Sequence, residues 1–121
     1  MRWILIAAAL LGASSVIIGA SLRHIGGEMD MDVLQTALRY HQLHSVVLLA
    51  LGLYALDKQP SIRIMIPAIL FTAGIIIFSG SLYGMVVLSM LTLGYLTPFG
   101  GTMLIAGWFS IAFIVNAREK S

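Results

Sequence analysis

Residues 3–22 contain no charged side chain. At 1.5 Å per residue, a helix of about 20 residues crosses the roughly 30 Å hydrocarbon core of a bilayer. The competing reading is a signal peptide, with Arg2 ahead of an apolar stretch that ends in small residues. A signal core is shorter, about 7–15 residues, so this segment is expected to be retained as a membrane helix. Composition extends the argument to the whole chain. Of 121 residues, 60% are hydrophobic and 10% charged, against roughly 25% charged in a soluble domain. Such a chain cannot cover itself with a polar surface, and it carries too much apolar mass for disorder. The bilayer is the solvent that remains.

Three further apolar segments follow, over 33–56, 64–88 and 98–117. The fold class expected is all-α: a single integral membrane domain, a bundle of four transmembrane helices. The connections are 23–32, 57–63 and 89–97. Arg2, Lys58, Arg63, Arg118 and Lys120, five of the seven basic residues, fall on the two chain ends and the middle connection. Four spans place those segments on one side. The positive-inside rule then predicts that both termini are cytoplasmic. Trp3 and Tyr54 stand near that interface and Tyr95 near the other, as aromatic anchors do. The basic residues are scattered singly and form no nucleic-acid patch. Cysteine is absent, which excludes disulfides, thiolate metal ligands and a thiol nucleophile.

Local signals set the helix ends. Asp32 with Gln35 resembles a capping box for the second helix, and Glu28, Asp30 and Asp32 complement the positive end of its dipole. Gln59-Pro60-Ser61 interrupts the chain before the third helix, and Pro67 lies in or just after its first turn. Small residues predict the packing faces: Ala8, Gly12, Ser15 and Gly19 on helix 1, Gly80 and Gly84 on helix 3, and Thr102, Ala106 and Ser110, with Gly100 and Gly107, on helix 4. Without a hydrophobic drive between helices in lipid, close backbone approach supplies association.

The second span is the polar one. Gln35, Thr36, Arg39, Tyr40, His41, Gln42 and His44 crowd its first three turns. Arg39 is expected to sit above the hydrocarbon, solvated or paired with Asp32 or Glu28; the alternative is a buried functional charge. Tyr40 and His44 share one face at i, i+4. Counting depth from helix ends matches Tyr40 with Tyr83 and His44 with Ser79. Together with His24, Ser81 and Thr97 they form a candidate polar cluster in the outer half of the bundle. Tyr40, His44, Ser79, Ser81 and Tyr83 are expected to face inward. His44 is expected to bond a helix 3 side chain, a backbone carbonyl or a water, because an unpaired polar group in an apolar medium costs about 4–8 kcal/mol. Haem is not expected: His24 and His44 differ in depth, and His41 and His44 share a helix. No His-Glu-x-x-His metal motif, Ser–His–Asp arrangement or phosphate-binding glycine loop is present, so neither a metal, a cofactor nor an enzyme is expected.

Several short pieces carry a family resemblance: Gly19-Ala20 with His24, Tyr40-xxx-His44, Phe78-Ser79-Gly80-Ser81-Leu82-Tyr83, Leu93-Gly94-Tyr95-Leu96-Thr97-Pro98-Phe99-Gly100-Gly101, and Ala106-Gly107-Trp108. In this order, over nearly the whole chain, they resemble the small bacterial inner-membrane proteins of the YgdD-like kind, domain of unknown function 423, to which animal transmembrane protein 256 is similar. The chain departs at Ser21-Leu22-Arg23, where that family more often has Phe-Gly-Ala. The resemblance implies a four-helix protein of the bacterial cytoplasmic membrane and brings no catalytic residues. A structural or accessory role is therefore expected, with the lipid bilayer and further protein, in a homo-oligomer or a larger membrane complex, as partners. The other reading is a permease or binder for a small solute, proton or lipid at the outer polar cluster.

Overall fold

The computed structural model describes residues 2–25 and 30–119. Gly26, Gly27, Glu28 and Lys120 lie outside them, as do the side chains of Arg23 and Arg118. Among the described residues the chain forms four α-helices and no strand: α1 (Arg2–Ile25), α2 (Met31–Ala55), α3 (Ile62–Val87) and α4 (Thr97–Glu119). A 3-10 segment at Leu91–Tyr95 precedes α4. Each helix overruns the apolar segment that announced it by one to three residues at one end or both, since caps and terminal turns extend past the hydrocarbon-compatible stretch.

Asp30, not Asp32, caps α2. Its backbone is extended and its carboxylate accepts the Val33 N–H at 3.3 Å, so Asp32 falls inside the first turn. Ser61 caps α3 and accepts the Arg63 N–H at 3.2 Å. Pro67 sits inside α3, buried. After α3, Ser89 takes a left-handed conformation (φ 56°) that turns the chain out of the helix.

Among the described residues, three segments are long and apolar enough to cross a membrane: Arg2–Leu22, Ile62–Val87 and Leu91–Ile114. The polar residues at its start set α2 apart, although its 25 residues reach about 37 Å.

The helices pack serially, α1 on α2, α2 on α3 and α3 on α4, with the 3-10 segment against α3. Neighbours are antiparallel. Ile4 and Leu5 face Gly52, Ser14 faces His41, and Gly19 faces Leu38. On the far side Phe71 meets Gly107, Gly74 meets Leu104, and Phe78 meets Gly100. One end of the bundle carries the α1–α2 and α3–α4 connections (the 3-10 end); the other carries the α2–α3 connection (the Lys58 end).

The α3–α4 contact is the closest. A Cβ on Gly100 would collide with the Phe78 backbone, and one on Gly107 would press on the Phe71 ring. The buried stripe of α4 is therefore Gly100, Leu104 and Gly107, with Ser110 at its margin; Thr102 and Ala106, expected on that face, are exposed. Gly12 and Gly80 also depart from expectation, for each points into open space. The apolar core joins Ile4 and Ala8 of α1, Leu48, Leu51 and Ala55 of α2, Ile64, Ala68, Phe71 and Ile75 of α3, and Leu104 of α4.

Candidate functional site

Seven of the nine buried residues of α2 alternate strictly by three and four: Leu34, Ala37, His41, His44, Leu48, Leu51 and Ala55, with Ser45 and Gly52 buried beside them. That is a 3.5-residue seam, which keeps one stripe facing its neighbours along the whole helix. Two histidines occupy it in place of aliphatic residues. His41 is 4% exposed and His44 2%, so each needs a polar partner supplied by the protein.

His41 bridges three helices. Its Nδ1 lies 3.0 Å from the Tyr83 hydroxyl on α3, and its Nε2 lies 3.2 Å from the Ser14 hydroxyl on α1. Ser14 donates its own proton to the Leu11 carbonyl at 2.9 Å. With the Ser14 proton on the Leu11 carbonyl, Ser14 accepts from His41 Nε2–H and Tyr83 donates to His41 Nδ1.

His44 is bound differently. The Trp108 indole N–H, which only donates, points at His44 Nε2 at 3.0 Å from α4. Nε2 is thus the acceptor, and Nδ1–H donates to the Tyr40 carbonyl at 2.7 Å. Aromatic rings surround the imidazole, with Tyr40 stacked at 5.9 Å, Phe71 tilted at 5.8 Å and Trp108 edge-on at 5.9 Å. His44 is thus the Nδ1–H tautomer, and His41 takes the opposite one as long as the Ser14 proton stays on the Leu11 carbonyl.

Two hydroxyl links complete the polar interior. Ser79 donates to the Ala37 carbonyl at 2.7 Å, tying α3 to the backbone of α2. Ser81 donates to the Phe78 carbonyl at 2.9 Å and stands 2.6 Å from the Thr97 hydroxyl, which locks the start of α4 to α3.

The candidate cluster thus divides. His44, Ser79 and Ser81 are buried and Tyr83 and Thr97 partly so, each with an interhelical bond. Tyr40 contradicts its inward placement, being 41% exposed. Its ring flanks the His44 imidazole and tilts against Phe78, while the adjacent His41, turned by about 100°, takes the interior position. His24 is exposed at the end of α1 and makes no contact with the cluster. Arg39 is exposed too, which removes the buried-charge alternative; it forms no ion pair with Asp32, and Glu28 lies outside the described residues. The His44 bond goes to a backbone carbonyl, as one of the expected options had it, and its side-chain partner comes from α4.

The depth pairing also shifts. Ser79 meets Ala37 rather than His44, and Tyr83 meets His41 rather than Tyr40. At the 3-10 end of α3, Leu93 of the 3-10 segment covers Gly84. Side chains lean toward the N-terminus of their own helix. On antiparallel α2 and α3, His41 and Tyr83 therefore lean toward each other. The residues that sequence reasoning passed over, His41, Ser14 and Trp108, carry one usable signal: His41 and His44 fall on the apolar three–four seam.

The comparisons with known proteins give the family. A family model described as "Protein of unknown function (DUF423)" matches residues 18–101. The chain belongs to the DUF423 family. A UPF0382 membrane protein of Haemophilus influenzae is 34% identical over 109 residues, covering 87% of this chain and 86% of its own length. The inner membrane protein YgdD of Escherichia coli is 32% identical over 111 residues, 88% of this chain and 84% of its own. The membrane protein YwdK of Bacillus subtilis is 34% identical over 111 residues, 84% and 89%. No solved structure matches the chain. This DUF423 protein is a membrane protein of a family without an assigned activity.

Proposed function

We propose that this DUF423 protein is a structural or accessory protein of the bacterial cytoplasmic membrane, with four spans, both termini in the cytoplasm and no enzymatic activity. One observation carries the reading. Among the described residues, no buried side-chain nitrogen or oxygen lacks a hydrogen-bond partner. Both ring nitrogens of His41 and of His44 are committed to the protein itself, three of those four bonds to another helix. A group that holds a solute needs an unspent donor or acceptor; these spend theirs on fixing helix register. The basic residues Lys58 and Arg63 at one end support the orientation, and the name of the Escherichia coli relative supports the inner membrane.

Crosslinking before solubilisation in mild detergent, followed by mass spectrometry, tests the role. The expected product is a reproducible homo-oligomer or a complex with a second membrane protein; monomer alone would count against it. The same protein in liposomes is expected to pass protons no faster than empty vesicles. A proton flux abolished by His44→Leu would replace this reading with transport.

A further inference from the structure

Arg63 begins α3 at the Lys58 end, where the apolar span meets the headgroup level. It is half-buried, and one of its guanidinium nitrogens, Nη1, donates to the Phe113 main-chain carbonyl on α4 at 3.1 Å. A guanidinium offers five N–H donors. Among the described residues no carboxylate pairs with it; the ion pair they contain is Lys58 with Asp57. A charge held in place across a helix pair, with donors beyond the one bonded to Phe113, is a binding group in waiting.

Beside it runs a groove of about 320 Å³ lined by Ile62, Arg63, Ile66, Ser110 and Phe113. Ile62 and Ile66 are one turn apart on α3, and Ser110 and Phe113 one turn apart on α4, so the groove follows the helix axes. Ile62 is 68% exposed, Ile66 44% and Phe113 57%. The Ser110 hydroxyl is occupied by the Gly107 carbonyl at 2.7 Å, which leaves the floor apolar.

We infer that this α3–α4 groove binds one anionic phospholipid, its phosphate on Arg63 and an acyl chain along Ile62, Ile66 and Phe113. Charge and shape select this occupant together. Guanidinium recognises phosphate oxygens bidentately, and basic pockets between transmembrane helices bind anionic headgroups. A free anion would satisfy Arg63 and leave the apolar strip unused. A zwitterionic lipid would fill the strip but bring its own cation to the phosphate.

The test uses the full chain in mild detergent, titrated with phosphatidylglycerol or phosphatidylcholine and read by native mass spectrometry. Wild-type protein is expected to retain one phosphatidylglycerol about fivefold more tightly than phosphatidylcholine, the gain typical of one basic residue near an anionic surface. Arg63→Gln should abolish that preference without changing phosphatidylcholine retention, and Arg63→Lys should restore part of it. Ile66→Trp, which fills the groove and keeps the charge, should weaken both lipids; it decides the matter if the Arg63 variants fail to fold. Equal retention of the two lipids by wild-type protein, or an unchanged preference in Arg63→Gln, would overturn the site. Displacement of phosphatidylglycerol by millimolar inorganic phosphate would overturn it as well, by reducing it to an anion site.

Discussion

The Trp108 indole N–H on α4 reaches His44 Nε2 on α2 across 3.0 Å. The two helices run in the same direction without packing closely, so this side-chain bond ties together elements that the backbone keeps apart.

Trp108→Phe keeps an aromatic ring on His44 and Phe71 but removes the donor. In a double-mutant cycle with His44→Leu, monitored by unfolding in mixed micelles, the coupling should be near 0.6 kcal/mol and below about 1.7 kcal/mol, the range for polar pairs within membranes. His44→Leu alone should cost more than the same change made in Trp108→Phe protein, since the single replacement leaves the Trp108 N–H without its acceptor. A coupling of zero would show that the bond does not form.

With the Ser14 proton on the Leu11 carbonyl, the hydrogen-bond pattern puts opposite tautomers at the two histidines. Nitrogen-15 spectra of histidine-labelled protein in lipid should show His41 protonated at Nε2 and His44 at Nδ1. Tyr83→Phe should perturb the His41 signals and leave those of His44 in place. Identical tautomers at both positions would contradict the assigned network.

Glycine positions divide by what a Cβ would meet. Gly100→Ala should destabilise by about 1–3 kcal/mol, the usual cost of overpacking, because the methyl group collides with the Phe78 backbone. Gly12→Ala and Gly80→Ala meet nothing within 4 Å. They should be neutral or stabilise by up to about 1 kcal/mol, through the helix preference of alanine over glycine. Unfolding midpoints of the three variants check the contrast, and equal losses would refute it.

Single cysteines report the orientation. With both termini cytoplasmic, a membrane-impermeant thiol reagent applied to intact spheroplasts should label Asp30→Cys and leave Lys58→Cys unlabelled. The reverse pattern would invert the bundle.

Much of this fold was legible in the chain because lipid imposes a simple rule: charge-free stretches of sufficient length become helices. Residues 3–22 and 64–88 announced α1 and α3 on that basis alone. The polar interior was harder to read. Judging faces of α2 by where polar residues cluster favoured Tyr40, whereas the apolar three–four seam runs through His41. Counting depth at the backbone missed the opposite lean of side chains on antiparallel helices, which brings Tyr83 to His41. Trp108 was visible only as part of a family motif, because nothing local in α4 announces a donor whose acceptor lies on a helix two elements earlier. Arg63 entered as a topology signal, and its place over a groove depends on how α3 meets α4.

Serial packing has a consequence for biogenesis. Chains emerge N-terminus first, and each helix here finds its main partner in the one made just before it. Ser14 is already in place when His41 follows it. The Ala37 carbonyl and His41 then await Ser79 and Tyr83. Trp108, near the end of the chain, is the last to arrive, and it closes His44. Insertion and hydrogen bonding thus proceed in the same order, and the final helix acts as the latch of the assembly.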